Sequence, residues 1–391
     1  MILADDPWRP NWENLKVGGN REGGSHTHSR TRNRMVNSRP SYPPKTLCLL
    51  RLSAIGDICH MLPVVHTLRH CWPDTQLTWI IGEAEVPLVE RIEGVEFVVF
   101  RKSRGLQAYR DLTRALGNRR FDGLFLMQVA LRAGFASLCV RSPVRIGFDP
   151  ARARGGHGLF VNHRIAPDIR PHVIDGFMGF LKTSGIGPSR FQYRWDVPED
   201  PLARAWAEEQ LPDGSPIVVI SPCAGDPERD WRSGRYARVA DHLAEAHGMR
   251  VVVTCSKELE QVKFTNEMCA RMQHPPVNLA GRTNLQQLLA VLRRARFMIG
   301  PDSGPVHMAA VAGIPALGLY ANSNSRRTGP YRSLDWCVDR YDDAAVYRLG
   351  KGASNLRWGY KIHDPDVMGL ITVEEVIRMA EKLISDLAEE D

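Results

Sequence analysis

The strongest constraint on the fold of this chain is the regular alternation of short apolar runs with longer helical patterns. From residue 45 onward, five runs have the length and apolar content of buried strands: 46–52, 76–81, 95–100, 121–128 and 144–148. Segments of helical pattern lie between them. Strands that alternate with helices form βαβ units, so we predict a parallel sheet with helices on both faces.

A second α/β series follows residues 185–200, a loose stretch that we predict to be an interdomain linker. Its predicted strands are 216–221, 249–255, 296–300 and 315–320, and its predicted helices include 234–247, 284–294, 303–313 and the amphipathic 372–387. We therefore predict an α/β protein in which two doubly wound domains, 45–184 and 201–371, face a central cleft, with a C-terminal helix in 372–391. Ligands of such sheets bind at the carboxyl ends of the strands.

Residues 1–44 differ from the rest of the chain. They are rich in Gly, Asn, Arg, Ser and Pro and have no periodic apolar pattern. Such a segment cannot bury enough apolar surface to offset the entropy of ordering, so we predict a disordered tail. Met35 is a second candidate for the natural start, and the sequence leaves open whether residues 1–34 are translated.

The charge of the chain is spread too thinly to indicate a nucleic-acid partner. The formal net charge is +7 over 391 residues. Basic residues do cluster at Arg101, Lys102 and Arg104 and again at Arg152 and Arg154. Such clusters favour an anionic partner, for example a phosphorylated lipid or sugar, although a solvated basic face would have the same composition.

Cysteine usage and hydropathy indicate the compartment. The eight cysteines include no CxxC pair, which argues against a disulfide framework and against a zinc site. No apolar run approaches the roughly 18 residues that a membrane span needs, and the N-terminus lacks the apolar core of a signal peptide. We therefore expect a cytoplasmic protein with no transmembrane segment.

The first motif with candidate chemistry is RLSAIGDICHMLP, residues 51–63. Asp57 lies at the start of a predicted helix that follows a strand, and His60 lies on the same helical face. The carboxylate would then stand where a substrate binds, although a plain helix cap is an alternative role for Asp57. The turn lacks GxGxxG, and GxxxxGK[ST] occurs nowhere, which argues against a dinucleotide dehydrogenase and a P-loop NTPase.

The second motif is MIGPDSGPVHMAAVAG, residues 298–313. A strand leads through Asp302, Ser303 and Gly304 into a helix with His307 near its start. Free backbone N–H groups and the helix dipole favour a phosphate at such a helix start. Asp302 would accept hydrogen bonds from the hydroxyls of a sugar attached to that phosphate. The alternative is an ordinary capped turn.

The third motif is SPCAGDPERDW, residues 221–231, which follows the first strand of the second series. The small residues Ala224 and Gly225 are expected to leave their amides open. Arg229 could reach a diphosphate from across the loop. A charged, flexible surface loop explains the same residues equally well.

Taken together, these motifs resemble one known family. The stretches SAIGDICHMLP and GRTNLQQLLAVLRRARFMIGPDSGPVHMAA look like the N-terminal and donor-site signatures of the ADP-heptose:lipopolysaccharide heptosyltransferases, glycosyltransferase family nine. The resemblance covers about residues 45–387. It implies the GT-B fold, with an acceptor-binding N-terminal domain and a C-terminal domain that binds a nucleotide sugar. It also implies an inverting transfer that needs no metal or other cofactor.

The resemblance further implies roles for individual residues. Asp57 would be the general base, with Gly56 and His60 in support. The implied donor-binding residues are Ala224, Gly225, Arg229, Glu258, Asp302, Ser303, Gly304 and His307, and the implied acceptor-binding residues are Arg101, Arg104 and Arg132. Two departures leave the nucleotide sugar in doubt, because Arg229 stands where the family usually has Lys and Ser303 where many members have Thr.

The resulting expectation is an enzyme that transfers heptose from ADP-heptose to a Kdo or heptose residue of the lipopolysaccharide core. Its anionic acceptor would lie at the inner membrane surface, where the protein could associate peripherally. One alternative is a relative that uses another nucleotide sugar. Another is an inactive relative that only binds a nucleotide or lipid, against which the joint presence of Asp57, Asp302 and His307 argues. The acceptor hydroxyl and the oligomeric state stay open.

Overall fold

Two parallel sheets of six strands each dominate the structure, a computed structural model that describes residues 43–211 and 214–390. All but two residues of the tail predicted at 1–44 lie outside the described residues.

The first sheet has the order β3-β2-β1-β4-β5-β6, and all its pairings are parallel. Its strands and helices are β1 (Thr46–Leu50), α1 (Ile55–Cys71), β2 (Gln76–Gly82), β3 (Val95–Phe100), α2 (Gln107–Leu116), β4 (Gly123–Leu126), α3 (Leu131–Leu138), β5 (Val144–Gly147), β6 (His163–Arg164) and α4 (Val173–Thr183).

The second sheet repeats this order as β12-β11-β10-β7-β8-β9. Its elements are α5 (Pro201–Gln210), β7 (Ile217–Ile220), α6 (Ser233–His247), β8 (Arg250–Val253), α7 (Leu259–Arg271), β9 (Val277–Asn278), α8 (Leu285–Arg293), β10 (Phe297–Pro301), α9 (Gly304–Ala312), β11 (Ala316–Tyr320), α10 (Ser325–Thr328), β12 (Val338–Asp339), α11 (Tyr341–Leu349) and α12 (Val373–Glu390). Each sheet therefore has a topological switch point, between β1 and β4 and between β7 and β10, where ligands bind in doubly wound folds.

The nine strands predicted from the apolar runs are all present, and their boundaries differ by at most two residues. The described part of the chain adds the two-residue strands β6, β9 and β12, which are too short to leave a pattern in the sequence. Central strands such as β7 are buried along their whole length, as expected for strands covered on both faces.

One apolar core connects the two sheets. It contains residues of β1 and α1 together with residues of α8 and α9, and the strongly packed helix pair α1 and α9 lies at its centre. Because apolar side chains of both halves exclude water together, the first-series and second-series helices are held face to face. The C-terminal helix α12 packs on α6 and β12 of the second series. Within the described residues, no helix combines the length and the apolar character needed to cross a membrane.

Candidate active site

Asp57 is the third residue of α1 and lies at the switch point of the first sheet. Its carboxylate accepts a hydrogen bond from the backbone N–H of Ala54 at 3.3 Å and forms an ion pair with Arg51. The N-terminal cap residue of α1 is Ala54, so Asp57 is not the N-cap residue, yet its carboxylate helps to cap the helix start. Its side chain is 28% exposed, so the carboxylate is accessible from solvent.

Arg51 is a site residue that the sequence reasoning missed, although it is the first letter of the motif that contains Asp57. Its Nη1 donates to the carbonyl of Met127 at 2.7 Å, and its guanidinium stands 5.3 Å from the ring centre of Phe177. The side chain is only 12% exposed. Because these contacts fix the guanidinium, the ion pair holds the Asp57 carboxylate in one orientation.

Asp302 lies at the switch point of the second sheet and is buried there among polar partners. Arg229 Nη1 lies 3.5 Å from one carboxylate oxygen and donates to the main-chain carbonyl of Asp302 at 2.6 Å. His307 Nε2 lies 3.7 Å from the other oxygen, Oδ1. The hydroxyl of Thr328 donates a hydrogen bond of 3.3 Å to Oδ2, the oxygen that Arg229 approaches. Burial alone would raise the pKa of Asp302, but His307, the charge of Arg229 and a hydrogen bond from Ser323 together outweigh burial, so its pKa is lowered.

The start of α9 carries polar atoms that the described residues leave without partners. Ser303 is the N-cap residue in extended conformation, and its Oγ makes no cap hydrogen bond and has no other partner. The buried atoms Arg229 Nε and His307 Nδ1 also have no hydrogen-bond partner. Buried polar groups are almost always hydrogen-bonded, so three unpaired groups beside a helix start indicate a place for a polar or anionic ligand.

The loop after β7 lies beside this site but differs from the expectation in one respect. The expectation of an open amide at Ala224 is wrong, because its N–H donates to Asp230 Oδ1 at 2.6 Å. Gly225 is exposed, and a side chain there would meet no heavy atom within 4 Å, so its surface is free for a ligand. Burial raises the pKa of Asp230 to about 7, although the Ala224 hydrogen bond and Arg229 act against this shift.

Three histidines from distant parts of the chain meet between the two sheets. The rings of His60 and His307 are 4.7 Å apart and those of His60 and His172 are 5.4 Å apart. His172 accepts a hydrogen bond from the N–H of Ile174 and donates through Nε2 to the carbonyl of Gly329, so it is neutral. Burial lowers the pKa of His172 to about 3 and the pKa of His60 well below its ordinary value.

The starts of α1 and α9 approach each other closely because each has a glycine at the contact. A Cβ on Gly56 would lie 2.5 Å from His307 Cδ2, and a Cβ on Gly304 would lie 3.2 Å from Ile55 Cβ. The side chain of His307 on α9 thus packs against Gly56 of α1, and the side chain of Ile55 on α1 packs against Gly304 of α9. Gly56, which we predicted to support Asp57, has no side chain and therefore leaves room for the ring of His307.

A segment after β11, residues 324–331, connects the two halves and was not predicted as part of the site; we call it the bridging segment. Thr328 contacts Asp302, and the carbonyl of Gly329 accepts from His172. Tyr331 stacks on Tyr193 of the predicted linker with 5.8 Å between ring centres. Sequence patterns gave no signal here, because each of these contacts joins residues that are far apart in the chain.

The remaining predicted site residues lie at the rims of the two sheets and are exposed. Arg101 pairs with Glu83 at 3.0 Å, and Arg104 pairs with Asp111 at 2.5 Å. Arg132 is the second residue of α3, after β4, and Glu258 is the N-cap residue of α7, after β8. All four follow the carboxyl ends of strands, and their roles stay predictions.

One group of side chains in the described part of the chain has the composition of a metal site. Glu381 Oε1 accepts from His242 Nε2 at 2.6 Å and from His247 Nε2 at 2.8 Å. His247 ends α6 just before β8 begins, so this group lies at the opposite edge of the sheet from Asp302. It has no part in the cleft.

Two doubly wound α/β domains whose ligand-binding edges carry Asp57 and the Asp302 network define the GT-B class of fold. Solved structures with this architecture include a family 9 glycosyl transferase from Veillonella parvula, with a TM-score of 0.73 and 20% identity, covering 89% of this chain and 98% of that one. They also include Escherichia coli ADP-heptose lps heptosyltransferase II, with a TM-score of 0.66 and 20% identity, covering 88% of this chain and 99% of that one.

The sequence comparisons identify the family. The model of Glycosyltransferase family 9 (heptosyltransferase) matches residues 109–354. The lipopolysaccharide core heptosyltransferase OpsX of Haemophilus influenzae is 37% identical over 340 residues, which cover 87% of this chain and 97% of OpsX. Escherichia coli lipopolysaccharide heptosyltransferase 3 is 23% identical and covers 68% of this chain and 79% of that protein. The chain belongs to glycosyltransferase family 9, and it is an enzyme of the glycosyltransferase class.

Proposed function

We propose that this protein transfers heptose from ADP-heptose to a Kdo or heptose residue of the lipopolysaccharide inner core. The observation that carries the proposal is the pair of facing sheet edges. One presents the oriented carboxylate of Asp57, and the other presents Asp302, His307 and Arg229 beside a helix start. The names of the relatives, OpsX above all, support heptose and the lipopolysaccharide core as the substrates.

We propose that the second-series domain, about residues 201–371, binds the donor. The diphosphate would accept hydrogen bonds at the start of α9 from Ser303 and the backbone of Gly304. The guanidinium of Arg229 would face its negative charge. Asp302 would accept hydrogen bonds from heptose hydroxyls. Glu258, which follows β8, would accept from the ribose. Gly225 would allow the nucleotide to approach the loop after β7 closely.

The proposed reaction is a single displacement with inversion. The oxygen of an acceptor hydroxyl attacks the anomeric carbon of the heptose while Asp57 takes the hydroxyl proton. The bond from the anomeric carbon to the phosphate oxygen breaks, and ADP leaves with the electron pair. Arg229, His307 and the N–H groups of α9 then face the negative charge that develops on the diphosphate. We propose that these groups stabilise that charge without a metal ion.

The first-series domain, about residues 45–184, would bind the acceptor. Arg101, Arg104 and Arg132 are exposed at its rim and suit a ligand that carries carboxylates or phosphates. Since that acceptor is anchored in a membrane, we propose that the enzyme works in the cytoplasm, at the inner face of the cytoplasmic membrane.

An assay of nucleoside diphosphate release, which detects ADP, UDP and GDP, tests the proposal. Purified protein is incubated with ADP-heptose, ADP-glucose, UDP-glucose or GDP-mannose and with Kdo-lipid A, in the presence and absence of EDTA. We expect turnover with ADP-heptose only, and no loss with EDTA. Turnover with another donor would establish the alternative of a relative with a different nucleotide sugar. Tight binding of ADP without turnover of any donor would establish an inactive binding protein.

A further inference from the structure

Three side chains of the kinds that bind metal ions meet where the C-terminal helix α12 packs on α6. Glu381 of α12 accepts hydrogen bonds from His242 Nε2 at 2.6 Å and from His247 Nε2 at 2.8 Å, so both imidazoles direct the same nitrogen at one carboxylate oxygen. The three ligand atoms all lie within 4.8 Å of one another. Two histidines and one glutamate are among the protein ligand sets that bind Zn²⁺.

The spacing of the two histidines along the chain did not indicate this group. Helical side chains share a face when they are three or four residues apart, whereas His242 and His247 are five residues apart. His247 is the last residue of α6, and the third side chain comes from a helix that lies 134 residues further along the chain. Tertiary packing therefore assembles the group.

The packing of α12 on α6 fixes the backbone on both sides of the group. Val239 and Leu243 of α6 and Ala380 of α12 are buried in the same apolar core. Leu243 follows His242 and Ala380 precedes Glu381, so each of these ligands has a buried neighbour that anchors it. The ligand side chains themselves are half-buried, which gives an ion access from solvent and leaves water available as a further ligand.

The distances suit a zinc ion after a small adjustment. Zn²⁺ binds imidazole nitrogen and carboxylate oxygen at about 2.0–2.2 Å, so the ligand atoms of a tetrahedral site lie about 3.3 Å apart. The two nitrogen–oxygen distances of 2.6 and 2.8 Å would have to widen by about 0.5–0.7 Å, which side-chain rotation can provide. The carbonyl groups at the end of α6 carry partial negative charge, which also favours a cation there.

We propose that His242, His247 and Glu381 bind a divalent transition-metal ion, Zn²⁺ before others, with water as the fourth ligand. The two imidazoles favour Zn²⁺ over Mg²⁺ and Ca²⁺, which prefer oxygen ligands. The ion would be structural and would join α12 to α6, because the group lies at the opposite edge of the sheet from Asp302. The inference is independent of the proposed function, whose chemistry uses other residues.

The ion would add to contacts that α12 and the segment before it already make. Trp231 Nε1 donates to the carbonyl of Ile371 at 3.1 Å, and Arg235 Nη1 donates to the carbonyl of Gly369 at 2.8 Å. These hydrogen bonds connect the start of α12 to the loop after β7 and to the start of α6. Because they form without an ion, we expect the metal to raise stability rather than to be required for folding.

The test uses the full-length protein after treatment with EDTA and removal of the chelator. Calorimetry measures the Kd of Zn²⁺, elemental analysis after dialysis measures the bound metal, and the melting temperature is recorded with and without Zn²⁺. Mg²⁺ is the control ion. The ligand variants are His242→Ala, His247→Ala and Glu381→Gln. The control variant is His26→Ala with His28→Ala, because this pair near the N-terminus could bind Zn²⁺ by itself.

We expect one Zn²⁺ per chain and no binding of Mg²⁺. Zn²⁺ at about 100 times its Kd should raise the melting temperature of the wild type by about 5–10 °C. Each ligand variant should weaken the Kd of Zn²⁺ by at least about 10–100-fold, which is the loss caused by removing even an outer partner of a metal ligand. The control variant should bind Zn²⁺ as the wild type does.

Three results would overturn the inference: no binding of Zn²⁺ by the wild type, binding that persists in the ligand variants, or loss of binding in the control variant. The ligand variants also lose hydrogen bonds between α6 and α12, so each melting temperature is compared with its own value in EDTA. A variant that fails to fold is replaced by a spectrum of the control variant with Co²⁺. A tetrahedral Co²⁺ spectrum would support the site, and the spectrum of aqueous Co²⁺ would refute it.

Discussion

Replacing Gly56 with alanine should impair catalysis far more than stability. The new methyl carbon would lie 2.5 Å from His307 Cδ2, whereas two carbon atoms in contact are about 3.5–4.0 Å apart. Either the His307 ring moves by about 1 Å or α1 and α9 separate by a similar distance. His307 belongs to the Asp302 network, with Nε2 3.7 Å from the carboxylate, so the displacement disturbs the proposed diphosphate site directly.

The two effects have different expected sizes. Overpacking a core contact costs about 1–3 kcal/mol, and alanine in place of glycine in a helix returns about 0.5–1 kcal/mol. The free energy of unfolding should therefore fall by only about 0–2.5 kcal/mol. Misplacement of site groups by about 1 Å can reduce the rate on the order of 10²-fold, so kcat/KM should fall by that factor.

Urea unfolding and ADP-release kinetics measure both quantities. Gly187→Ala serves as the control, because a Cβ there meets nothing within 4 Å and φ is −72°. In a His307→Ala background the steric conflict is gone, so Gly56→Ala should then cost no stability. A wild-type kcat/KM for Gly56→Ala would refute this reasoning, and so would an equal loss of stability with and without the His307 ring.

Three further predictions concern single groups. Asp57→Asn should lower kcat by about 10²–10⁴-fold, because an amide cannot take the proton. The Kd of ADP-heptose, measured by calorimetry, should be nearly unchanged. Turnover within a few-fold of wild type would show that Asp57 only caps the helix. The double variant Arg101→Ala with Arg104→Ala should raise the acceptor KM strongly, less so at high salt, and leave the donor Kd unaltered. Unchanged acceptor kinetics would show that these arginines belong to a solvated loop that does not bind the acceptor. The pKa of Asp230 is raised to about 7 in the folded protein, so the folded state binds its proton more tightly than the unfolded state, and this contribution to stability is lost as pH rises from the unfolded pKa through 7. Asp230→Asn should remove that decline in urea unfolding, and identical pH profiles for the two proteins would contradict it.

Local sequence patterns were sufficient for the framework of this protein. The apolar runs predicted nine strands and their order along the chain, and the alternation with helices predicted two parallel sheets. The motifs around Asp57 and Asp302 follow directly after central strands, so their place at the sheet edges also came from the sequence. These features depend on side-chain periodicity and turn residues within about a dozen positions, which the sequence states directly.

Only the tertiary structure decided which side chains meet across the cleft. His172 donates a hydrogen bond to the carbonyl of Gly329, and no sequence motif indicates this contact. The same holds for the Ala224 amide, which looked open until the fold placed Asp230 against it. Such contacts depend on how two domains pack and how loops close, and packing joins residues whose spacing in the chain carries no periodic signal. The sequence determined where each functional group lies on its own sheet, and the packing of α1 against α9 determined which groups can act together.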